Sequence, residues 1–237
     1  MMSGVAVPAR AWSLAWSVAL SAAVLGPLLG ALLPGGGYLL LRDAVSTPRS
    51  YLTDSALGLT DSAARAVPQD ALVAAATTVI DGGTLVVAML VLALIGAGWG
   101  AAEMTARVLD SSVLGPRLVA ATVAIWNPYV AERLLQGQWS LLIGYAALPW
   151  VVLASIRLRE SGLRESGLRE GGLRAAAPLV LCFAVAGVTP TGVLLCAVLA
   201  VVVLSAPGGE RRARRIGVAV LGTVVTSAPW LVATALS

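Results

Sequence analysis

The sequence predicts an all-α, polytopic transmembrane bundle of about seven spans, with a long external first loop carrying short interfacial helices. Three observations predict it. The 237 residues are 58% hydrophobic and only 12% charged, with a mean hydropathy of +0.89. Soluble domains are about one-quarter charged, so the surplus apolar surface must face lipid. Charge-free runs cover 11–41, 82–102, 134–156, 175–209 and 216–237. A span needs about 20 apolar residues to cross roughly 30 Å of hydrocarbon. The 16 basic residues, all Arg, cluster at the ends of these runs, where positive charge sets orientation.

The first span is expected over 11–33. Arg10 gives it a basic flank, but the run is long for a signal peptide and no clear cleavage site precedes Pro34, so it reads as an uncleaved anchor. The external loop 34–82 follows, opening on the turn residues Pro34-Gly35-Gly36-Gly37. Thr53-Asp54-Ser55-Ala56 and Thr60-Asp61-Ser62-Ala63 read as helix N-caps, and Pro68 opens another short helix to about 80. Such helices suit the membrane surface.

Further spans are expected at 83–102, 116–131, 139–156, 176–188, 191–206 and 216–236, giving one transmembrane module over 1–237. Arg-Glu-(Ser/Gly)-Gly-Leu repeats three times at a period of five in 159–173 and reads as a low-complexity loop. The loops 157–174 and 210–215 hold five and four Arg, so both belong in the cytoplasm. They share a side only if 175–209 forms a hairpin, turning at Thr189-Pro190-Thr191-Gly192. Parity then requires a crossing between Arg117 and Trp139. The expected location is the cell membrane, multi-pass, with the N-terminus cytoplasmic and 34–82 external. Twelve Arg fall inside and four outside.

Composition excludes several chemistries. The chain has no His, which removes His-dependent triads, HExxH zinc sites and His proton relays. Cys182 and Cys196 lie in one apolar run and read as packing residues. No phosphate-binding glycine loop is present, and the span-end Arg pattern points to membrane lipid as partner, with no nucleic acid. No span interior carries an evident charge, which argues against proton-coupled pumping.

Two places hold groups able to do chemistry. Asp43, beside Arg42, stands a few residues past the first span. An acid so near the bilayer is costly unless paired, hydrated or functional. The plain alternative is a loop carboxylate bridged to Arg42 or Arg49, or simply hydrated. The second place is Trp126-Asn127-Pro128-Tyr129-Val130-Ala131-Glu132-Arg133, continuing to Gln136-Gly137-Gln138-Trp139. The plain reading is an interfacial aromatic belt with an ordinary ion pair. Against it, the polar side chains are many for a short connector.

That phrase, with Gly144-Tyr145-Ala146-Ala147-Leu148-Pro149-Trp150, Arg42-Asp43 and Thr189-Pro190-Thr191-Gly192, resembles large envelope-assembly membrane proteins of high-GC bacteria related to the GT-C fold glycosyltransferases. These include arabinofuranosyl- and mannosyltransferases. The resemblance runs over roughly 35–230. It implies transfer of a sugar from a polyprenyl-phosphate donor to a polysaccharide or lipid-linked acceptor on the external face, by the whole enzyme or its N-terminal module.

The resemblance implies Asp43 as catalytic base. It implies Glu132, Arg133, Arg42, Asn127, Tyr129, Gln138 and Trp139 as substrate-binding residues. A divalent cation, magnesium or manganese, would fall to Asp43 and Glu132. The chain departs from the family pattern in lacking a DxD or DD pair at Asp43. Two other functions fit the same residues: a non-catalytic scaffold or accessory subunit of envelope assembly, and a transporter of a lipid-linked substrate.

Overall fold

The computed structural model describes residues 8–30, 37–60, 66–161, 170–207 and 212–236. Its helices are α1 (Ala9–Gly30), α2 (Asp54–Leu57), α3 (Gln69–Ala76), α4 (Gly82–Val108), α5 (Leu114–Ile125), α6 (Pro128–Leu135), α7 (Trp139–Ser161), α8 (Glu170–Ala186), α9 (Pro190–Ser205) and α10 (Arg212–Leu236). No strand occurs among the described residues. The Pro34–Gly36 turn, the Asp61 cap and the repeat across 162–169 lie outside them.

Four helices are long and apolar enough to cross a membrane: Ala9–Leu29, Gly82–Val108, Trp139–Glu160 and Arg212–Leu236. The chain is a membrane-embedded α-helical protein. The four are fewer than the seven spans expected, and the difference has physical causes. The region read as one span over 116–131 is two helices. Asn127 is extended (φ −148°, ψ 162°) ahead of Pro128, whose ring disfavours a helical residue before it. The Asn127 side chain then accepts from the Val130 N–H and starts α6 afresh. This leaves α5 with 12 residues, about 18 Å of helix. The run 175–209 is likewise divided, into the apolar helices Arg174–Ala186 and Pro190–Ser205. Thr189 caps the second through the Gly192 N–H at 3.1 Å, with Pro190 in its first turn.

α4 and α7 form the centre. α1 and α5 pack on α4, α8 and α9 pack on α7, and α10 closes against α8 and α9. Lipid supplies no hydrophobic drive between helices, so close approach of small residues must hold them. A methyl added at Gly100 of α4 would stand 2.6 Å from Trp150 Nε1 of α7. That indole donates to the Gly96 carbonyl at 2.9 Å. Gly144 of α7 and Gly192 of α9 meet as closely, a Cβ at Gly144 falling 2.9 Å from Gly192 Cα. On α1, Ser13, Ser17 and Ser21 form a buried stripe at helical spacing.

The two ends of the bundle differ. At one, which we call the Arg-rich end, α1 begins, α4 ends, α5 begins and α7 ends. There Glu103 binds Arg10 at 3.3 Å and Arg117 at 2.8 Å, and Arg107 binds Glu160. Arg159 donates to the Pro207 carbonyl at 2.9 Å. At the opposite, loop end, the segment 38–50 is laced to the start of α4. Tyr38 donates to Asp81 at 2.8 Å, and Asp81 accepts from the Thr84 N–H as the N-cap of α4. Arg49 donates to the Thr77 carbonyl, and the Gly82 N–H to the Pro48 carbonyl.

The Glu103 and Arg117 side chains are only 13% and 11% exposed. Removing one partner strands a buried charge, which costs about 3 kcal/mol or more. Glu103→Gln therefore lowers stability by about that amount in detergent unfolding experiments. A loss within the error of the measurement would contradict the burial of the Glu103–Arg117 pair.

Candidate functional site

The residues singled out in the sequence meet at the loop end. Arg42, Asp43 and Ala44 form a 3-10 turn after α1. The Asp43 N–H donates to the Gln136 carbonyl at the end of α6, at 3.2 Å. Gly137 makes the approach possible. It has φ +67°, and a Cβ there would lie 2.1 Å from the Leu41 carbonyl oxygen and 2.6 Å from the Ala44 nitrogen. Both are backbone atoms, so only glycine fits. Arg42 takes φ +39°, a left-handed conformation that costs a non-glycine residue of order 1 kcal/mol. The seating of the turn on α6 holds this strain.

Asp43 and Arg42 are exposed, and neither side chain has a polar partner among the described residues. Asp43 is therefore not bridged to Arg42 or Arg49, and its exposure is that of a hydrated loop carboxylate. Glu132 and Arg133 behave differently. They form an ion pair at 2.5 Å, and Gln136 donates to Glu132 at 2.9 Å. Arg133 also donates to Gln138 and lies 5.5 Å from the centre of the Tyr129 ring. The guanidinium hydrogen bond, aided by its charge, holds the Glu132 carboxyl below the usual glutamate range.

Asn127 links this cluster to the bundle. Its amide donates to the Val123 and Ala124 carbonyls and to the Tyr145 hydroxyl, at 2.9, 3.1 and 3.3 Å. Tyr145 packs against Tyr129 with ring centres 5.3 Å apart. Tyr145, on α7, was not assigned a role from the sequence, although it sits in the Gly144–Trp150 phrase. Trp139 is 4% exposed and belongs to the core beside Leu142, so its ring faces are not open to a sugar. Trp126 is exposed on the outside of the bundle.

Tyr145 and Ala124 also end an apolar groove of about 780 Å³ between α4, α5 and α7, whose walls include Ala97, Val119, Val123 and Leu148. Its size and lining suit a hydrocarbon chain. Asp43 is not among its lining residues.

Asp43 and Glu132 are the carboxylates that a divalent cation would need at this end. Such ions take carboxylate, carbonyl and water oxygens. Glu132 is already neutralised by Arg133 and bonded to Gln136, which leaves Asp43 as the free carboxylate. No three His, Cys, Asp or Glu side chains gather among the described residues. The arrangement does not fit a bound cation, and no step below passes through one.

Comparisons with protein-family models, with curated proteins and with solved structures find no match to this chain.

The Glu132–Arg133 pair makes a pH prediction. A carboxyl whose folded pKa is lowered contributes stability above its unfolded pKa, and that contribution is lost as pH falls through the folded value. The pair should thus survive acidification through the ordinary glutamate range and break only below it. Carbon-detected NMR titration of Glu132 should give a midpoint below that range, rising toward it in Arg133→Met. An unchanged midpoint in the variant would refute the pairing.

Proposed function

We propose that this chain crosses the membrane seven times and transfers a sugar from a polyprenyl-phosphate donor to a cell-envelope acceptor at its loop end, with Asp43 as the base. The observation that carries the reading is the contact between the Asp43 turn and the end of α6. It seats the turn that carries the Asp43 and Arg42 side chains against the helix that carries the polar cluster.

Seven crossings are supported by the division between the ends. Placing the Arg-rich end in the cytoplasm follows the positive-inside rule. α5 and α6 together then make the third crossing, and α8 and α9 make a hairpin. The loop end, with Asp43 and Glu132, faces outside.

The reaction follows from the side chains. The carboxylate of Asp43 takes the acceptor hydroxyl proton as that oxygen attacks the anomeric carbon. The anomeric carbon–oxygen bond to phosphate breaks, and polyprenyl phosphate leaves with the electron pair. Arg42 meets the phosphate through charge-assisted hydrogen bonds. Arg133 is held by Glu132 and Gln138, so it orients α6 and not the leaving group. The groove ending at Tyr145 takes the polyprenyl chain, with its head toward Asn127 and Tyr129.

A second reading is favoured by one observation. The Tyr129, Glu132, Arg133, Gln136 and Gln138 groups bond largely to one another, as in an interfacial belt. This suits an accessory subunit that binds a lipid-linked sugar without reacting it.

Transfer assays with polyprenyl-phosphate pentose and hexose donors separate the two. Asp43→Asn should reduce transfer by about 100-fold or more, the scale of a general base, while donor lipid still binds. Equal transfer by wild type and variant would overturn the catalytic role. Donor binding by both, with transfer by neither, would favour the accessory reading.

A further inference from the structure

A second site stands at the Arg-rich end, away from Asp43. It has two compartments. One is an apolar groove of about 500 Å³ between α4, α7 and α8, whose walls include Met89, Gly96, Ile143 and Cys182. The other is a polar recess of about 450 Å³ containing Arg10, Glu103, Arg107, Asp110 and Arg117. Trp150, Leu153 and Arg157 line both. An apolar groove thus adjoins a charged pocket across a common wall, with Arg157 on both.

The charges of the recess are unequally committed. Arg10 and Arg117 share the single carboxylate of Glu103, and Arg107 is bound to Glu160. Arg157 is exposed and has no partner among the described residues. The Nε of Arg117 is buried and has no acceptor. A buried donor without an acceptor is costly, so this one marks a place for an oxygen ligand. Asp110 is the opposing charge. Like Arg10, Arg107 and Arg117 it lines the recess and not the groove, which leaves Arg157, among the described residues, as the one charged residue that lines both.

We infer that this is a binding site for an anionic glycerophospholipid from the leaflet at the Arg-rich end. One acyl chain lies in the groove against Met89 and Cys182. The phosphate diester sits at Arg157, within the positive field of Arg10 and Arg117. Trp150, midway along α7, forms part of the wall common to both compartments and is fixed there by its bond to the Gly96 carbonyl. The occupant braces α4, α7 and α8, which meet at the groove. It differs from the polyprenyl donor in site, in face and in having no reaction.

Two variants test the two compartments. Arg157→Gln removes the uncommitted charge. Gly96→Leu puts a side chain into the groove, and its Cβ would meet only the Ala146 methyl, at an ordinary 3.8 Å. Native mass spectrometry of the full chain in neutral detergent would measure phosphatidylglycerol binding. Competitors would be phosphatidylcholine and the chain-free head group glycerophosphoglycerol. Phosphatidylglycerol should bind, with affinity falling about fivefold in Arg157→Gln, the scale of one basic residue near a lipid surface. Gly96→Leu should weaken it similarly while melting as wild type, and neither competitor should displace it. Wild-type affinity in either variant would overturn the two-part site. Displacement by the head group alone would make it a free-anion site, and equal binding of phosphatidylcholine would refute the charge selection.

Discussion

The close approach of α4 and α7 is the constraint on which the rest depends. Gly100 lets Trp150 and Pro149 press against the α4 backbone. In lipid this contact is won by van der Waals packing and by the indole–carbonyl bond, since burial from water contributes little there. With the pair fixed, α1 and α5 have a wall to pack against on one side. α8, α9 and α10 have theirs on the other. The same pair determines what the ends can do. It sets Glu103 beside Arg10 and Arg117, and carries Trp139 and Tyr145 up to the loop-end cluster.

At the loop end the protein keeps two kinds of charge. Glu132 and Arg133 neutralise each other and spend their remaining valence on Gln136 and Gln138. Asp43 and Arg42 remain uncommitted, on a turn whose left-handed residue is held by Gly137 beneath it. Stability there comes from a backbone bond and a close glycine contact, which leaves the acidic and basic side chains of the turn free for a substrate. At the other end the pattern is reversed. Most charges are tied into bridges, and Arg157 stands free where the hydrocarbon groove meets the polar recess.

Much of the fold was legible in the sequence. The runs at 11–41, 82–102, 134–156 and 216–237 announced four long helices because charge-free length near 20 residues has few other uses. Thr53 and Thr189 behaved as turn and cap residues, for the local reason that their side chains accept the first free N–H groups of a helix. The break in 116–131 was harder to read. Asn127-Pro128 ends one helix and starts another, and hydropathy averages across it. The convergence of Asp43 with α6 is a tertiary contact through backbone atoms and a glycine, and such contacts leave no periodic signal. Glu132 and Arg133 were visible as a pair, but not that Arg133 would be wholly engaged. The burial of Trp139 was also hidden, because an aromatic residue at a span end suits both an interface and a core.

The central claim is that Asp43 and the end of α6 form one face outside the membrane. Cysteines in place of Asp43 and Gln136, with Cys182 and Cys196 changed to Ala, test it directly. A short, membrane-impermeant bifunctional thiol reagent should bridge the two in intact cells, and Gly137→Ala should abolish the bridge by lifting the turn off α6. No bridge in the parent pair, or reaction only after the membrane is opened, would contradict the account.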